Sequence, residues 1–157
     1  MRAGLSWRKA VQKLVAVRGF RIQAEAKNLE LRFARGPELL VYSDPKLLHL
    51  IVINLVGNAI KYTQRGFVAV ELSAAESTYQ IAVKDSGPGI APEHHARIFE
   101  PFEQIEDLEH KHLPGVGLGL SMVKQIVTSL GGEIELQSQL GAGTTITVVF
   151  PGPEIGS

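Results

Sequence analysis

Asp85-Ser86-Gly87-Pro88-Gly89-Ile90 and Gly115-Val116-Gly117-Leu118-Gly119-Leu120-Ser121 bracket a polar stretch that carries Phe99-Glu100-Pro101-Phe102, and the span from Lys84 to Val123 organises the chain. Glycine lacks a Cβ, so backbone N–H groups in such runs approach phosphate oxygens closely. The second run leads into an apolar segment of helical period, whose N-terminus favours anions. The first run follows a short alternating segment, Tyr79 to Val83, which puts Asp85 where a strand ends, with its carboxylate free to enter a cleft. A carboxylate there suits a purine amino group. The pattern predicts a nucleotide pocket with a lid.

Two further blocks flank this span. Asn54-Leu55-Val56-Gly57-Asn58-Ala59-Ile60-Lys61-Tyr62-Thr63 lies in a long apolar segment that reads as a helix, and Asn54 and Asn58, four apart, share one of its faces. Ser138-Gln139-Leu140-Gly141-Ala142-Gly143-Thr144-Thr145 lies downstream. The four blocks, in this order, resemble the ATP-binding catalytic domain of sensor histidine kinases, within the superfamily that includes gyrase, the heat-shock chaperone ATPases and mismatch-repair ATPases. The resemblance runs from about Leu5 to Pro151.

Composition agrees with one folded domain. A chain of 157 residues buries roughly 70% of its unfolded surface, and 45% apolar with 20% charged residues is an ordinary globular mix. Sixteen basic residues balance sixteen acidic ones, so no basic excess points to nucleic acid as a partner. Cysteine is absent, which removes disulfides and thiolate zinc sites and fits a reducing compartment. The longest apolar stretch, Leu47 to Ile60, is interrupted by His49, Asn54 and Asn58 and is too short to cross a bilayer, so no direct membrane contact is expected. The expected location is the cytoplasm, with a parent protein either soluble or membrane-anchored.

In chain order, Ser6 is expected to cap a helix from Trp7 that gathers Val11, Leu14, Val15 and Ile22 on one face, with Gly19 weakening it and Asn28 ending it. Strands are predicted at Leu29 to Phe33 and Leu39 to Tyr42. Asp44 and Pro45 then cap and open a helix from Lys46 to about Tyr62. A hairpin follows at Phe67 to Leu72 and Tyr79 to Val83, then a short helix at Pro92-Glu93 and a long irregular loop to Pro114. A helix from Gly119 to Leu130 and strands at Glu133 to Gln137 and Thr145 to Phe150 complete a domain over 1–151, with 152–157 as a flexible tail. The expected fold is an α/β two-layer sandwich, a mixed and largely antiparallel sheet packed on about three helices beside a mobile ATP lid.

The resemblance implies roles for individual residues. Asn58 would give an amide oxygen to Mg²⁺, a hard cation that keeps several waters beside phosphates, with Asn54 supporting the metal or phosphate site. The Asn54 position carries a Glu base in the hydrolytic ATPases, and an amide cannot take that proton, so fast ATP hydrolysis is not expected. Lys61 offers phosphate a point charge, or is simply a solvated helix end, and Tyr62 offers a ring to base or ribose. Asp85 would accept from the adenine amino group with Thr144 in the same network, Gly87 and Gly89 shaping the floor and Ile90 packing on the purine. Gly115, Val116, Gly117, Leu118, Gly119 and Leu120 would border the phosphates. Lys111 is a candidate for the terminal phosphate, although Leu113-Pro114, and Val116 where Thr is frequent, depart from the pattern.

No histidine sits in a phosphoacceptor-like motif; His94, His95, His110 and His112 read as solvated lid residues, and Phe99 and Phe102 as lid anchors or partner contacts. The function implied is binding of Mg-ATP and donation of the γ-phosphoryl group to a histidine on a separate dimerisation domain, with a response regulator downstream. Two rivals stand beside it: a degenerate nucleotide-binding regulatory module, and a Ser/Thr-directed kinase of the anti-sigma type.

Overall fold

The computed structural model describes residues 3–16, 18–34, 36, 38–101 and 119–152. Its elements are β1 (Ala3–Ser6), α1 (Trp7–Val15), α2 (Arg18–Ala26), β2 (Glu30–Ala34), β3 (Leu40–Ser43), α3 (Pro45–Tyr62), β4 (Phe67–Ala74) and β5 (Thr78–Asp85), then 3-10 turns at Pro92–His94 and Arg97–Phe99, and finally α4 (Gly119–Ser129), β6 (Glu133–Ser138) and β7 (Thr144–Pro151). The main sheet has the order β2-β4-β5-β7-β6, with β2 parallel to β4 and every other pair antiparallel. This is the expected α/β two-layer sandwich.

The alternation that marked the hairpin explains the burial. Val68, Val70, Ile81 and Val83 face inward with Val148 of β7, against Ile51, Val52, Leu55 and Val56 of α3 and Val123 and Val127 of α4. Each of these side chains, taken fully out of water, contributes about 1.5–3 kcal/mol. Asp44 is extended and accepts from the Lys46 N–H at 2.9 Å, while Pro45 occupies the first helical position, where its missing N–H costs nothing. Asn28 ends α2 with φ +57°, a conformation its short polar side chain tolerates.

Several expectations are corrected. The N-terminal helix is two helices, broken at Ala16, so four α-helices rather than about three are found among the described residues. The break resets the phase: Phe20 and Ala24 are buried in α2, and Ile22 is 54% exposed. Ser6 precedes α1 without a side-chain cap, and the Trp7 N–H goes to the Leu39 carbonyl at 2.9 Å. That bond belongs to an unexpected pairing: β1 and β3 form their own antiparallel ladder, off the main sheet. Gly152, assigned to the tail, donates its N–H to the Ser77 carbonyl at 2.7 Å; residues 153–157, and residues 102–118 that include most of the expected lid, lie outside the described residues.

Trp7, the sole tryptophan, is 1% exposed and packs edge-on to Tyr79, with ring centroids 4.8 Å apart. Its fluorescence therefore reports on the core. The turn between β6 and β7 offers a comparison of two glycines of matching backbone, Gly141 at φ +81° and Gly143 at φ +83°. A Cβ on Gly141 meets nothing within 4 Å, whereas one on Gly143 would lie 2.0 Å from the Asp85 carbonyl oxygen. Gly141→Ala should cost about 1–2 kcal/mol, the left-handed penalty alone, and Gly143→Ala about 3 kcal/mol or more. Urea unfolding followed at Trp7 measures both; equal costs would mean that the turn yields freely.

Candidate functional site

Helix α3 is apolar except along one strip, and that strip carries the candidate residues. Asn54 Nδ2 donates to the Leu50 carbonyl one turn earlier, at 2.7 Å. This leaves Oδ1 turned toward α4: it lies 2.9 Å from where a Cβ on Gly119 would be, and Asn58 Nδ2 lies 3.5 Å from the same point. A Cβ here would press on the Asn54 amide, so glycine suits this close approach of the first residue of α4. The structure thus brings Asn54, Asn58 and Gly119 together, and sets the positive end of a helix dipole against two amides. Leu120, one residue on, is half-buried and packs on the core.

The other end of the strip meets Asp85. Its carboxylate Oδ1 accepts from the Gly87 N–H at 2.8 Å. Burial pushes the carboxyl above its ordinary value, opposed by the N–H groups of Gly87 and Thr144 and by the nearby Thr63 hydroxyl. A Cβ on Gly87 would fall 2.9 Å from Asp85 Oδ1, 3.2 Å from Thr63 Oγ1 and 3.4 Å from the Tyr62 carbonyl. Gly87 is therefore the joint between α3 and the end of β5. Thr63 is fully buried and its hydroxyl, close to the carboxylate but short of a formed hydrogen bond, has no partner among the described residues. Tyr62 is half-buried, and the Lys61 ammonium lies 5.1 Å from the Tyr62 ring centroid.

The two glycine turns are fastened to each other. The Gly141 N–H donates to the Pro88 carbonyl at 2.8 Å, and Gly89, at φ +77°, runs so near Gln139 that a Cβ would lie 2.0 Å from its carbonyl oxygen. Ser138 Oγ accepts from the Ile90 N–H at 2.7 Å, lies 2.8 Å from Thr144 Oγ1 and donates to the Gly143 carbonyl at 3.1 Å. Thr144 thus meets Asp85 through its N–H, while its hydroxyl serves Ser138. His95, expected to be solvated, is half-buried with Nε2 2.8 Å from the Ile90 carbonyl, because the 3-10 turn folds it back on the first glycine run. Ile98 is buried, and Phe99 lies beneath Lys124 of α4, the ammonium 5.9 Å from the ring centroid.

Lys111, Gly115, Val116, Gly117, Leu118, Phe102, His110 and His112 lie outside the described residues. Between α2 and α3 a cleft of about 500 Å³ is lined by Lys27, Asn54, Gly57, Asn58 and Lys61 among others. Among the described residues no three His, Cys, Asp or Glu side chains gather as a metal cage. An Asn58 oxygen beside phosphate is the kind of sparse protein ligation that Mg²⁺ takes. Three contributors went unmarked in the sequence: Lys27, Thr63 and Ser138. Ser138 and Thr63 lie within the quoted blocks, but Lys27 acts on residues more than thirty positions away and leaves no local signal.

A nucleotide fits this frame. From Asn54 to Thr63 the helix advances about 13 Å, on the order of the reach from a purine base to its distal phosphates. A half-buried carboxylate stands at one end and a helix N-terminus with two amides at the other.

Comparison with known proteins agrees. The family model described as histidine kinase-, DNA gyrase B-, and HSP90-like ATPase matches residues 43–154. The chain is 42% identical over 135 residues to the sensor histidine kinase AtsR of Burkholderia thailandensis, covering 83% of this chain and 22% of that protein. It is 42% identical over 146 residues to the histidine protein kinase DivJ of Caulobacter vibrioides, covering 92% and 24%. The chain thus spans about a quarter of the length of the curated relatives it matches. Full-length ShkA, solved in complex with AMPPNP, superposes with a TM-score of 0.86 at 28% identity, over 99% of this chain and 32% of that one. The chain belongs to the histidine kinase-, DNA gyrase B- and HSP90-like ATPase family, as an ATP-binding catalytic domain of the sensor histidine kinase kind.

Proposed function

We propose that the chain binds Mg-ATP and donates its γ-phosphoryl group to a histidine on a separate dimerisation domain of a two-component sensor kinase, with a response regulator downstream. The observation that carries this reading is the spacing along α3 between the Asp85 carboxylate and the Asn54–Asn58–Gly119 cluster. Asp85 accepts from the adenine amino group, with Gly87 and Thr144 holding the carboxylate. Gly89 and Ile90, fastened through Ser138, form the adjoining wall, and Tyr62 borders it. At the phosphate end Asn58 gives an oxygen to Mg²⁺ with Asn54 beside it, Lys61 adds a cation, and Gly119 and Leu120 open the α4 N-terminus. The resemblance assigns Lys111 and Gly115 to Leu118 to the phosphates as well.

Bound Mg²⁺ neutralises charge on the phosphate oxygens. The domain's part in transfer is to orient: the imidazole nitrogen bonds to the γ-phosphorus as the bond to the β–γ bridging oxygen breaks, and ADP leaves. No carboxylate stands at position 54 to activate water. The Asn54 amide donates to the Leu50 carbonyl instead, in keeping with slow hydrolysis.

Calorimetric titration with ATP, with and without Mg²⁺, tests the pocket. Asn58→Ala should abolish the Mg²⁺ enhancement and weaken Mg-ATP at least about tenfold, the effect of losing one charge-assisted contact. Gly87→Ala should weaken ATP with or without metal, because the new methyl displaces Asp85 Oδ1. Phosphate appearing on a cognate helical domain supplied in trans completes the test; a folded chain that binds ATP yet transfers nothing would sink the kinase reading.

Asp85 also gives the pocket a pH dependence of known sign. A carboxyl raised by burial favours the protonated fold, so its contribution to stability is full below the unfolded value near 3.8 and is lost as pH rises through the folded one. Accepting from adenine requires the ionised form. ATP affinity should therefore fall on acidification at a higher pH than an ordinary aspartate would give, while this group's effect on the nucleotide-free melting temperature runs the opposite way. Asp85→Asn should flatten both profiles; melting curves and titrations between pH 4 and 8, at about half-unit steps, measure them.

A further inference from the structure

Lys27 lies at the corner between α2 and β2, outside the wall just described, yet its ammonium is spent on that wall. It donates to the carbonyls of Ile60 at 2.9 Å, Lys61 at 2.7 Å and Thr63 at 3.3 Å. These are carbonyls at the end of α3 that no further helical turn satisfies, and an ammonium has three N–H donors to give. A cation also suits the negative end of the helix dipole. Lys27 is half-buried, and burial lowers its pKa, so its charge is kept at a cost that these contacts offset.

The residue that this clamp places is Thr63. Its side chain is fully buried, its hydroxyl has no partner among the described residues, and it stands on the same side of Gly87 as Asp85 Oδ1. Valine has the same shape without the cost of an unmet hydroxyl. A buried hydroxyl with no formed hydrogen bond, close enough to the half-buried Asp85 carboxylate to oppose the rise of its pKa, is placed for a state in which that acceptor demands more. Asp85 makes that demand when it is ionised and holds a purine amino group.

We propose that Lys27 and Thr63 are positioning residues for base recognition: the ammonium fixes the end of α3, and the Thr63 hydroxyl, delivered by that clamp, donates to the Asp85 carboxylate when the purine is bound. The inference rests on Asp85 reading the base. It gives the domain's preference for a 6-amino purine a third component behind the carboxylate and its backbone donors, reaching back to α2.

The test measures Mg-ATP and Mg-ITP affinities by calorimetry, and nucleotide-free melting by Trp7 fluorescence, in the whole chain. ITP carries a carbonyl where ATP carries the amino group. Thr63→Val should melt at or above the wild type while its ATP-to-ITP preference falls about tenfold, and Thr63→Ser should keep the preference. Lys27→Met should melt lower and lose preference to a similar degree; Lys27→Gln, which keeps donors, serves in its place if Lys27→Met does not fold. If Asp85→Asn erases the preference but Thr63→Val and the Lys27 variant keep it, the two residues only support the fold and the proposal is overturned. If Asp85→Asn leaves the preference intact, the carboxylate does not read the base, and the proposal falls with that reading.

Discussion

A half-buried carboxylate at the end of β5 is the constraint around which the nearby chain is arranged. Burial raises the Asp85 carboxyl above its ordinary value, and the fixed donors that face it favour the ionised form. The Gly87 N–H and the Thr144 N–H supply them, and each imposes a further condition. Gly87 must lack a Cβ because Asp85 Oδ1 and the end of α3 occupy its space. Thr144 reaches the carboxylate because β7 pairs with β5 in register, Asp85 opposite Thr144, and the preceding residue must be Gly143 for the turn to pass the Asp85 carbonyl. Gly87 and Gly143 are thus consequences of one carboxylate placed at the end of a strand.

Helix α3 turns that local arrangement into a site. Its buried faces hold it against the sheet and α4, so the residues on its polar strip inherit the rigidity of the core. Phe20 of α2 packs over Gly57 at a distance that a Cβ would also allow, 3.8 Å, and Gly119 lets α4 begin against Asn54. The end of the helix is sewn down twice, by Lys27 on its carbonyls and by the Glu30 N–H on the Gly66 carbonyl at 2.9 Å. Ser86 completes the joint: its Oγ accepts from the Phe67 N–H at 2.8 Å and donates to the Arg65 carbonyl at 2.9 Å. Thus the Ser of Asp85-Ser86-Gly87 holds the turn that leads from α3 into β4.

What could be read from sequence was what short-range chemistry determines. Asp44-Pro45, Asn28, the alternating hairpin and the two asparagines four apart declare themselves within a few residues, and the sandwich follows from their order. The pairing of β1 with β3 brings together segments more than thirty residues apart, so four residues at the N-terminus carried no strand signal of their own. The break at Ala16 went unread for a related reason: the apolar spacing continues through it, and Gly19 was the more conspicuous weak point. Lys27 reads as a solvated lysine until the end of α3 is set beside it. Thr63 was inside a quoted motif but looked like the residue after a helix, because its importance lies in a neighbour from another strand.

The amide at position 54 has a consequence for charge that follows from its orientation. A carboxylate there would stand against the N-terminus of α4 and partly neutralise the field that attracts anions. It would also add a negative charge beside the phosphates of the proposed ligand. Asn54 instead commits its N–H to the Leu50 carbonyl and turns a neutral oxygen to Gly119. The helix terminus and Lys61, on the proposed reading, then face the phosphates without a competing protein anion from position 54, and that position offers no base to water. On the proposed reading, one substitution of amide for acid both strengthens the hold on the phosphates and reserves them for an acceptor brought by another domain.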